Sequence, residues 1–315
     1  MTALPLALLM PVLFWDGGVE TAPALAKAGI QQIAVPPDHV EQWKAQQSAA
    51  GQRIEVQSFD PRSAVKLKPP ATRYESSIAS ASRAPWVESN GWLMLRDRKA
   101  KFYYDAPGSA GALAAAEASM FGGNAAVRTD QAGFEQLCRM LTFLNALGQS
   151  GLPQLANIGF IDDGSRESGE VMNLFVRRNL LFKIVPQPDQ SLDLTVQLGT
   201  ARYSRKDAMN PGHFAELVRG DLTDDKRLLR IYGSNVVIGR LEGDASHVRV
   251  HLINCDPNAE TPQGVRVHVK GAFPKYSAAV FGEPGAALQD FSADAVATEF
   301  TVPQLPVLAV VDLSR

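Results

Sequence analysis

The chain has 315 residues, 45% hydrophobic and 20% charged, with a formal net charge of −2. That balance excludes disorder for most of its length. No Lys/Arg-rich block supplies the footprint of a polyanion binder, so nucleic acid is not an expected partner. The two cysteines, Cys138 on an apolar helix face and Cys255 at a strand end, read as buried free thiols in different domains rather than a bridge.

In chain order, Thr2–Phe14 is apolar enough for the h-region of an export signal. No Lys or Arg precedes it, no clean small-x-small cleavage site follows, and it merges into the first strand. It reads equally as the remnant of an export signal or as a strand leader, which leaves a periplasmic or extracellular location open, and it is too short to span a bilayer. Strand Val12–Trp15 leads to helix Thr21–Ala28, with Pro23 in its first turn and Gly29 ending it. Strand Gln32–Val35, helix His39–Ala50 behind a capping-box-like Asp38 and Glu41, and strand Arg53–Ser58 follow. This is the rhythm of parallel strands with crossover helices. From Pro61 to Arg98 the pattern loosens through Pro69–Pro70 and SSIASAS. The segment Ala84–Leu95 (APWVESNGWLML) suggests a strand followed by a long loop or hairpin.

Order returns with strand Lys101–Asp105 and an Ala-rich helix Ser109–Phe121, closed by Gly122–Gly123, of the kind that packs close to a sheet. Next come strand Ala125–Thr129, an amphipathic helix Gln131–Leu147, strand Ala156–Ile161, helix Glu167–Arg178, strand Leu181–Val185 and a strand-like Leu192–Gly199. About eight strands alternate with helices here, which predicts a compact TIM-type (β/α)8 barrel over residues 1–225, irregular in places. After Asp225 the segments Leu228–Tyr232, Val236–Glu242, Val248–Asn254, Val265–Lys270, Ser277–Phe281, Thr298–Val302 and Val307–Leu313 are short, β-branched and separated by Gly/Pro/Asp turns. They predict an antiparallel β-sandwich over 226–315, so the class is α/β plus all-β.

The tail, with HVRVHLINCDPN, GVRVHVKG and TEFTVPQLPVLAVVDL, resembles glycoside hydrolases that carry a C-terminal β-sandwich after a (β/α)8 catalytic domain. GFIDDGSRESGEVMNLFVRRNLLFKIV also looks like the strand–loop–helix–strand of amidotransferase-like modules found in some galactosidases, without that class's nucleophilic Cys. The first resemblance implies a carbohydrate substrate, no cofactor, and an acid and a nucleophile after barrel strands four and seven. Counting strands from Val12 places Glu88 after the fourth and Asp162 and Asp163 after the seventh. Two departures stand: Val87 rather than Asn precedes Glu88, and the seventh-strand residue is Asp rather than Glu.

Glycosidic hydrolysis needs one protonated and one ionised carboxyl group. Glu88 and Asp163 are the first choices, with the stereochemical outcome open. Asp16, Asp60, Asp105 and Asp130 also sit at strand ends, as Asp162 does beside Asp163, where a parallel barrel keeps its site. Trp15, Trp86, Trp92, Tyr103 and Tyr104 sit beside these carboxylates as stacking surfaces for sugar rings, and Asn90 offers hydroxyl contacts. Each has a plain structural alternative. Asp130 reads as a helix cap, and Asp162–Asp163–Gly164 as a turn that caps the next helix. Asp16 and Asp105 could simply end strands, Glu88 could be a solvated loop carboxylate, and Trp15 and Tyr103 could be core. Arg128 and Arg178 read as surface arginines that could orient a carboxylate or bind an anionic sugar. The five histidines have no metal-ligand spacing, and neither a Gly-rich nucleotide fingerprint nor a Gly-x-Ser-x-Gly elbow is present. The sequence therefore predicts a carbohydrate-active protein, a glycoside hydrolase or, as the alternative, a non-catalytic carbohydrate-binding or structural protein on a degenerate barrel. Carboxylates paired to arginines would favour the alternative.

Overall fold

The computed structural model describes residues 11–50, 54–73, 85–256 and 264–315, in two compact units. Most of the apolar leader and the SSIASAS stretch lie outside the described residues. No helix among the described residues is long and apolar enough to cross a membrane.

The first unit comprises Met1–Pro70 and Asp97–Gly148. It begins with β1 (Val12–Phe14), α1 (Ala22–Lys27), β2 (Gln32–Val35), α2 (Val40–Ala50), β3 (Glu55–Ser58) and β4 (Val65–Leu67). The chain then contributes β5 (Ala71–Arg73), β6 (Trp86–Glu88) and α3 (Gly91–Arg96) to the second unit. It returns as β7 (Lys101–Asp105), α4 (Ala110–Phe121), β8 (Asn124–Arg128) and α5 (Phe134–Leu147). The six strands of this unit form one sheet in the order β3-β2-β1-β8-β7-β4, and every pairing is parallel. Each strand except β4 neighbours the one before it in the unit, and the last pairs back on the first. This is barrel wiring opened between β3 and β4.

The central strands β2, β1, β8 and β7 are buried on both faces, which is why they read as largely apolar runs. Val12, Phe14, Ala34, Phe59, Tyr103 and Ala126 share one small core, in which the Phe14 and Tyr103 rings meet edge to face at 5.4 Å. Leu13, Ile33, Phe102, Tyr104 and Val127 occupy the opposite face, buried as well. The alanines of α4 let its backbone approach β7 and β8 closely, and a hydrogen bond from Tyr104 Oη to Glu117 Oε2 at 2.7 Å joins helix and sheet inside. Gly122, left-handed at φ 66°, ends α4 as its sequence position implies.

The expected eight-stranded ring is not formed by the described strands. The segment counted as strand four, β6, pairs antiparallel with β5 in a separate hairpin. Strands counted seven and eight belong to a second parallel sheet. That sheet lies in the second unit, Ala71–Arg96 with Gln149–Arg315. There β9 (Gln154–Leu155), β10 (Ile158–Ile161), α6 (Arg166–Arg177), β11 (Phe182–Ile184), β12 (Leu194–Gln197), α7 (Arg205–Ala208) and α8 (Pro211–Leu222) follow in order. The sheet is β11-β10-β12, all parallel, with Phe160, Phe175 and Phe182 at ring separations of 5.8 to 6.2 Å. These three strands form an open layer.

The rest of the second unit is β13 (Leu229–Tyr232), β14 (Val237–Gly243), β15 (His247–Asn254), β16 (Val265–Lys270), β17 (Lys275–Val280), β18 (Gln289–Ala293), β19 (Ala297–Val302) and β20 (Leu308–Ser314). They make two antiparallel sheets, β13-β16-β19-β18 and β17-β20-β15-β14-β9. Val250, Leu252 and Val311 from one and Val267, Val269 and Phe300 from the other fill a shared core, the two inner faces of a sandwich. All seven strands expected from the sequence are present. The eighth, β18, is a polar, mostly exposed edge with a register shift, and so carried no alternating signal. The domain boundary read at residue 225 falls inside this second unit. Cys138 and Cys255 are buried free thiols.

Candidate functional site

The candidate residues divide between the two units. In the first, parallel register places Asp105 beside Arg128 at the ends of β7 and β8, and Asp16 follows the neighbouring β1 by two residues. Arg128 Nη2 lies 3.1 Å from Asp16 Oδ2, and its Nη1 lies 3.8 Å from Asp105 Oδ2. All three side chains are about half exposed or more. Tyr103 is core against Phe14 and Phe59. Burial pushes its phenol up, Asp105 adds to that, and Arg128 opposes it.

Trp15 is only half-buried, yet it is not free. Its indole N–H donates to Thr21 Oγ1 at 2.9 Å, and its ring tilts onto Phe134 at 5.6 Å. Gly17 is required by this fold of the loop, since a Cβ there would stand 2.7 Å from Trp15 Nε1. Asp60 serves its own turn: its Oδ1 accepts from the Arg62 backbone N–H at 3.0 Å and from Arg62 Nε at 3.1 Å. The Arg62 hydrogen bonds hold its carboxyl below the usual range. Asp130 is the cap the sequence suggested, accepting from the N–H groups of Gly108 and Gly133 at 2.9 Å each.

In the second unit Trp86 and Glu88 stand on β6. Glu88 Oε1 is 2.9 Å from Arg73 Nη2 on the paired strand, with a third of its side chain exposed. Trp86 is exposed on one side, and the Arg177 guanidinium stacks 3.1 Å from its ring centroid. Burial pushes Arg177 down to about 10. Asn90 and Trp92 do not extend a loop from this strand, because the chain turns into helix α3 there. The Asn90 carbonyl accepts from the Leu93 N–H at 2.9 Å. Trp92 packs α3 onto α6 at Gly169, where a Cβ would meet its ring at 2.9 Å.

Asp162 and Asp163 follow β10 in a turn that Gly164 completes at φ 77°. Arg96 grips Asp162 with two hydrogen bonds of 2.8 Å. Asp163 Oδ1 accepts from Ser165 N at 2.9 Å and Ser168 Oγ at 2.7 Å, and Arg205 pairs with its other oxygen. Bonds from Ser165 and Ser168, with Arg205 behind them, outweigh burial and hold Asp163 well below the usual carboxylate range. Ser165 itself caps α6.

Every candidate carboxylate except Asp130 thus faces an arginine: Arg128 for Asp16 and Asp105, Arg62 for Asp60, Arg73 for Glu88, Arg96 for Asp162 and Arg205 for Asp163. Among these partners only Arg128 had been singled out in the sequence. Arg177, to which the sequence assigned no role, is the arginine at Trp86. Only Arg62 carried a local signal, two residues after Asp60; the others are neighbours through strand pairing or helix packing.

No protein-family model and no curated protein matches the chain. Solved structures do. The chain superposes on α-L-fucosidase isoenzyme 2 from Paenibacillus thiaminolyticus with a TM-score of 0.53 at 10% identity, covering 88% of this chain and 70% of that one. The fold is glycoside hydrolase-like. A β-galactosidase from Bacillus circulans sp. alkalophilus matches with a TM-score of 0.38 at 8% identity over 90% of this chain and 63% of its own. An endoxylanase from Clostridium papyrosolvens matches with a TM-score of 0.27 at 9% identity over 97% and 95%. No single family is identified for the chain.

Proposed function

We infer that this is a carbohydrate-binding protein on a glycoside hydrolase-like scaffold, which holds a sugar at the carboxyl ends of β1, β7 and β8 and does not hydrolyse it. The observation that carries the reading is Arg128 set between Asp16 and Asp105 on three adjacent parallel strands. Ligands of parallel sheets bind at that end. A guanidinium beside carboxylates also offers the donors and acceptors that paired sugar hydroxyls need. The resemblance in fold agrees with it.

Hydrolysis asks for more. A glycosidase acid keeps its proton because its surroundings are apolar or carry like charge. Here each of Asp16, Asp60, Glu88, Asp105, Asp162 and Asp163 has an arginine at its oxygens instead. The second reading keeps hydrolysis, with Glu88 as acid and Asp163 as nucleophile or base. It is favoured by the exposure of Glu88 at the end of β6 beside the Trp86 ring.

The test is a panel of monosaccharides and nitrophenyl glycosides, read for binding by calorimetry and for turnover by absorbance. Saturable binding of at least one sugar, lost in Arg128→Gln, with no turnover, is the expected result. Turnover abolished by Glu88→Gln and by Asp163→Asn would replace this reading with the second. No binding anywhere on the panel would remove both.

A further inference from the structure

The five-stranded sheet of the sandwich carries a buried polar group that the proposed function does not use. Residues two apart on a strand share a face. Leu241 of β14, Val250 of β15 and Val311 of β20 point into the sandwich core, so Arg240 and Glu242, Arg249 and His251, and Asp312 lie on the opposite face. Strand register sets Arg240 beside His251 in one row, and Glu242, Arg249 and Asp312 side by side in the next. Arg240 and His251 are buried.

The charges of this group balance as long as His251 is neutral. Arg249 Nε and Nη2 bind the two oxygens of Asp312 at 2.7 and 2.9 Å. Glu242 offsets Arg240, whose Nη1 lies 3.6 Å from Oε1. The other Glu242 oxygen, Oε2, accepts from Ser150 Oγ at 2.6 Å and stands 3.5 Å from His251 Nε2, which makes no hydrogen bond. His247 on β15 and Lys275 on β17 share this face two rows away, and both are exposed. Ser150 ties the chain ahead of β9 to the group. Its Oγ accepts from the Leu152 N–H at 3.1 Å, and the Pro153 carbonyl accepts from the Gly243 N–H at 2.8 Å.

We propose that His251 is an acid-sensitive latch on segment 150–153. With the imidazole neutral, the Glu242 carboxylate holds Ser150. A proton taken up from solvent by His251 sets a third cation beside Arg240 and Arg249, draws Glu242 Oε2 onto Nε2 and withdraws it from Ser150. Burial holds the imidazole below its ordinary value of 6.5, and the nearby Glu242 carboxylate only partly opposes this. An opened segment therefore takes up the proton first: the closed form is favoured above that value and loses ground as pH falls below it.

Amide hydrogen exchange of the full chain, expressed as protection factors at about pH 7.5 and about pH 5, tests this. Leu152 and Gly243 should lose about tenfold or more in protection at the lower pH, while Val311 in the sandwich core keeps its own. The loss should share its midpoint with the His251 ring shifts and be absent in His251→Gln. Ser150→Ala should lower Gly243 protection already at about pH 7.5. Unchanged protection in the parent, a midpoint that follows His247, or the same loss in His251→Gln would overturn the proposal. So would a loss at Leu152 and Gly243 that comes only together with Val311, because acid would then be unfolding the sandwich as a whole. Should His251→Gln not fold, the match or mismatch of midpoints in the parent decides.

Discussion

Arg96 and Asp162 form a two-pronged ion pair, Nε to Oδ2 and Nη2 to Oδ1 at 2.8 Å each, while the same Nη2 donates to the Ser165 carbonyl at 2.9 Å. Helix α3 is thereby bolted to the turn after β10, with both side chains largely hidden. Removing the arginine strands a largely buried carboxylate. Arg96→Ala should cost about 2–3 kcal/mol in urea unfolding, with part of the loss recovered when Asp162→Asn is added. Arg62→Ala, which breaks the exposed pair with Asp60, should change stability by less than about 1 kcal/mol. Equal losses in the two would contradict the assigned roles.

Asp163 predicts a sign in the acid range. Its folded carboxyl titrates below the ordinary value of 3.8, so the unfolded chain takes up the proton first as pH falls. Its contribution is complete above the unfolded value and disappears as pH drops through the lower folded one. Asp163→Asn should therefore be less stable than the parent at pH 7, with the gap narrowing below about pH 4. Denaturant midpoints measured across that range check it; a gap that widens on acidification would refute it.

Two helical glycines should respond in opposite directions. At Gly169 a Cβ would press on Trp92 at 2.9 Å, so Gly169→Ala should lose about 1 kcal/mol or more despite its better helix propensity. At Gly220 in α8 nothing lies within 4 Å, and Gly220→Ala should gain about 0.5–1 kcal/mol. Thermal or urea unfolding of the pair separates packing from propensity.

Both thiols should be silent in the native protein. Cys138 and Cys255 are only 2% and 1% exposed, and burial pushes the Cys138 thiol up to about 11. A thiol-specific chromogenic reagent should report almost nothing until denaturant is added, then two equivalents. Rapid native reaction would show that one of these sites opens.

Local chemistry was legible wherever a residue and its partner lie close in the chain. Asp130 capping toward Gly133, the Asp163 turn feeding Ser165 and Ser168, and Gly122 ending the Ala-rich helix all follow from spacing. The sandwich strands were legible as well, since one buried face imposes an apolar alternation such as Val248, Val250 and Leu252. By contrast, Trp92 read as a loop aromatic because nothing in APWVESNGWLML reveals that Gly169, on a distant helix, leaves room for its ring.

Periodicity and turn chemistry along the chain specify which segments alternate as strand and helix, which strands have one buried face, and which turns their own side chains close. Long-range pairing sets the rest: β6 stands in a hairpin outside the parallel sheet, β10 and β11 join a second sheet, and Arg73, Arg96, Arg128 and Arg205 stand at candidate carboxylates. The physical reason is that hydrophobic periodicity specifies which way a side chain points. Which strand lies alongside, and which charge arrives across it, is fixed by hydrogen bonding and packing between segments far apart in the chain.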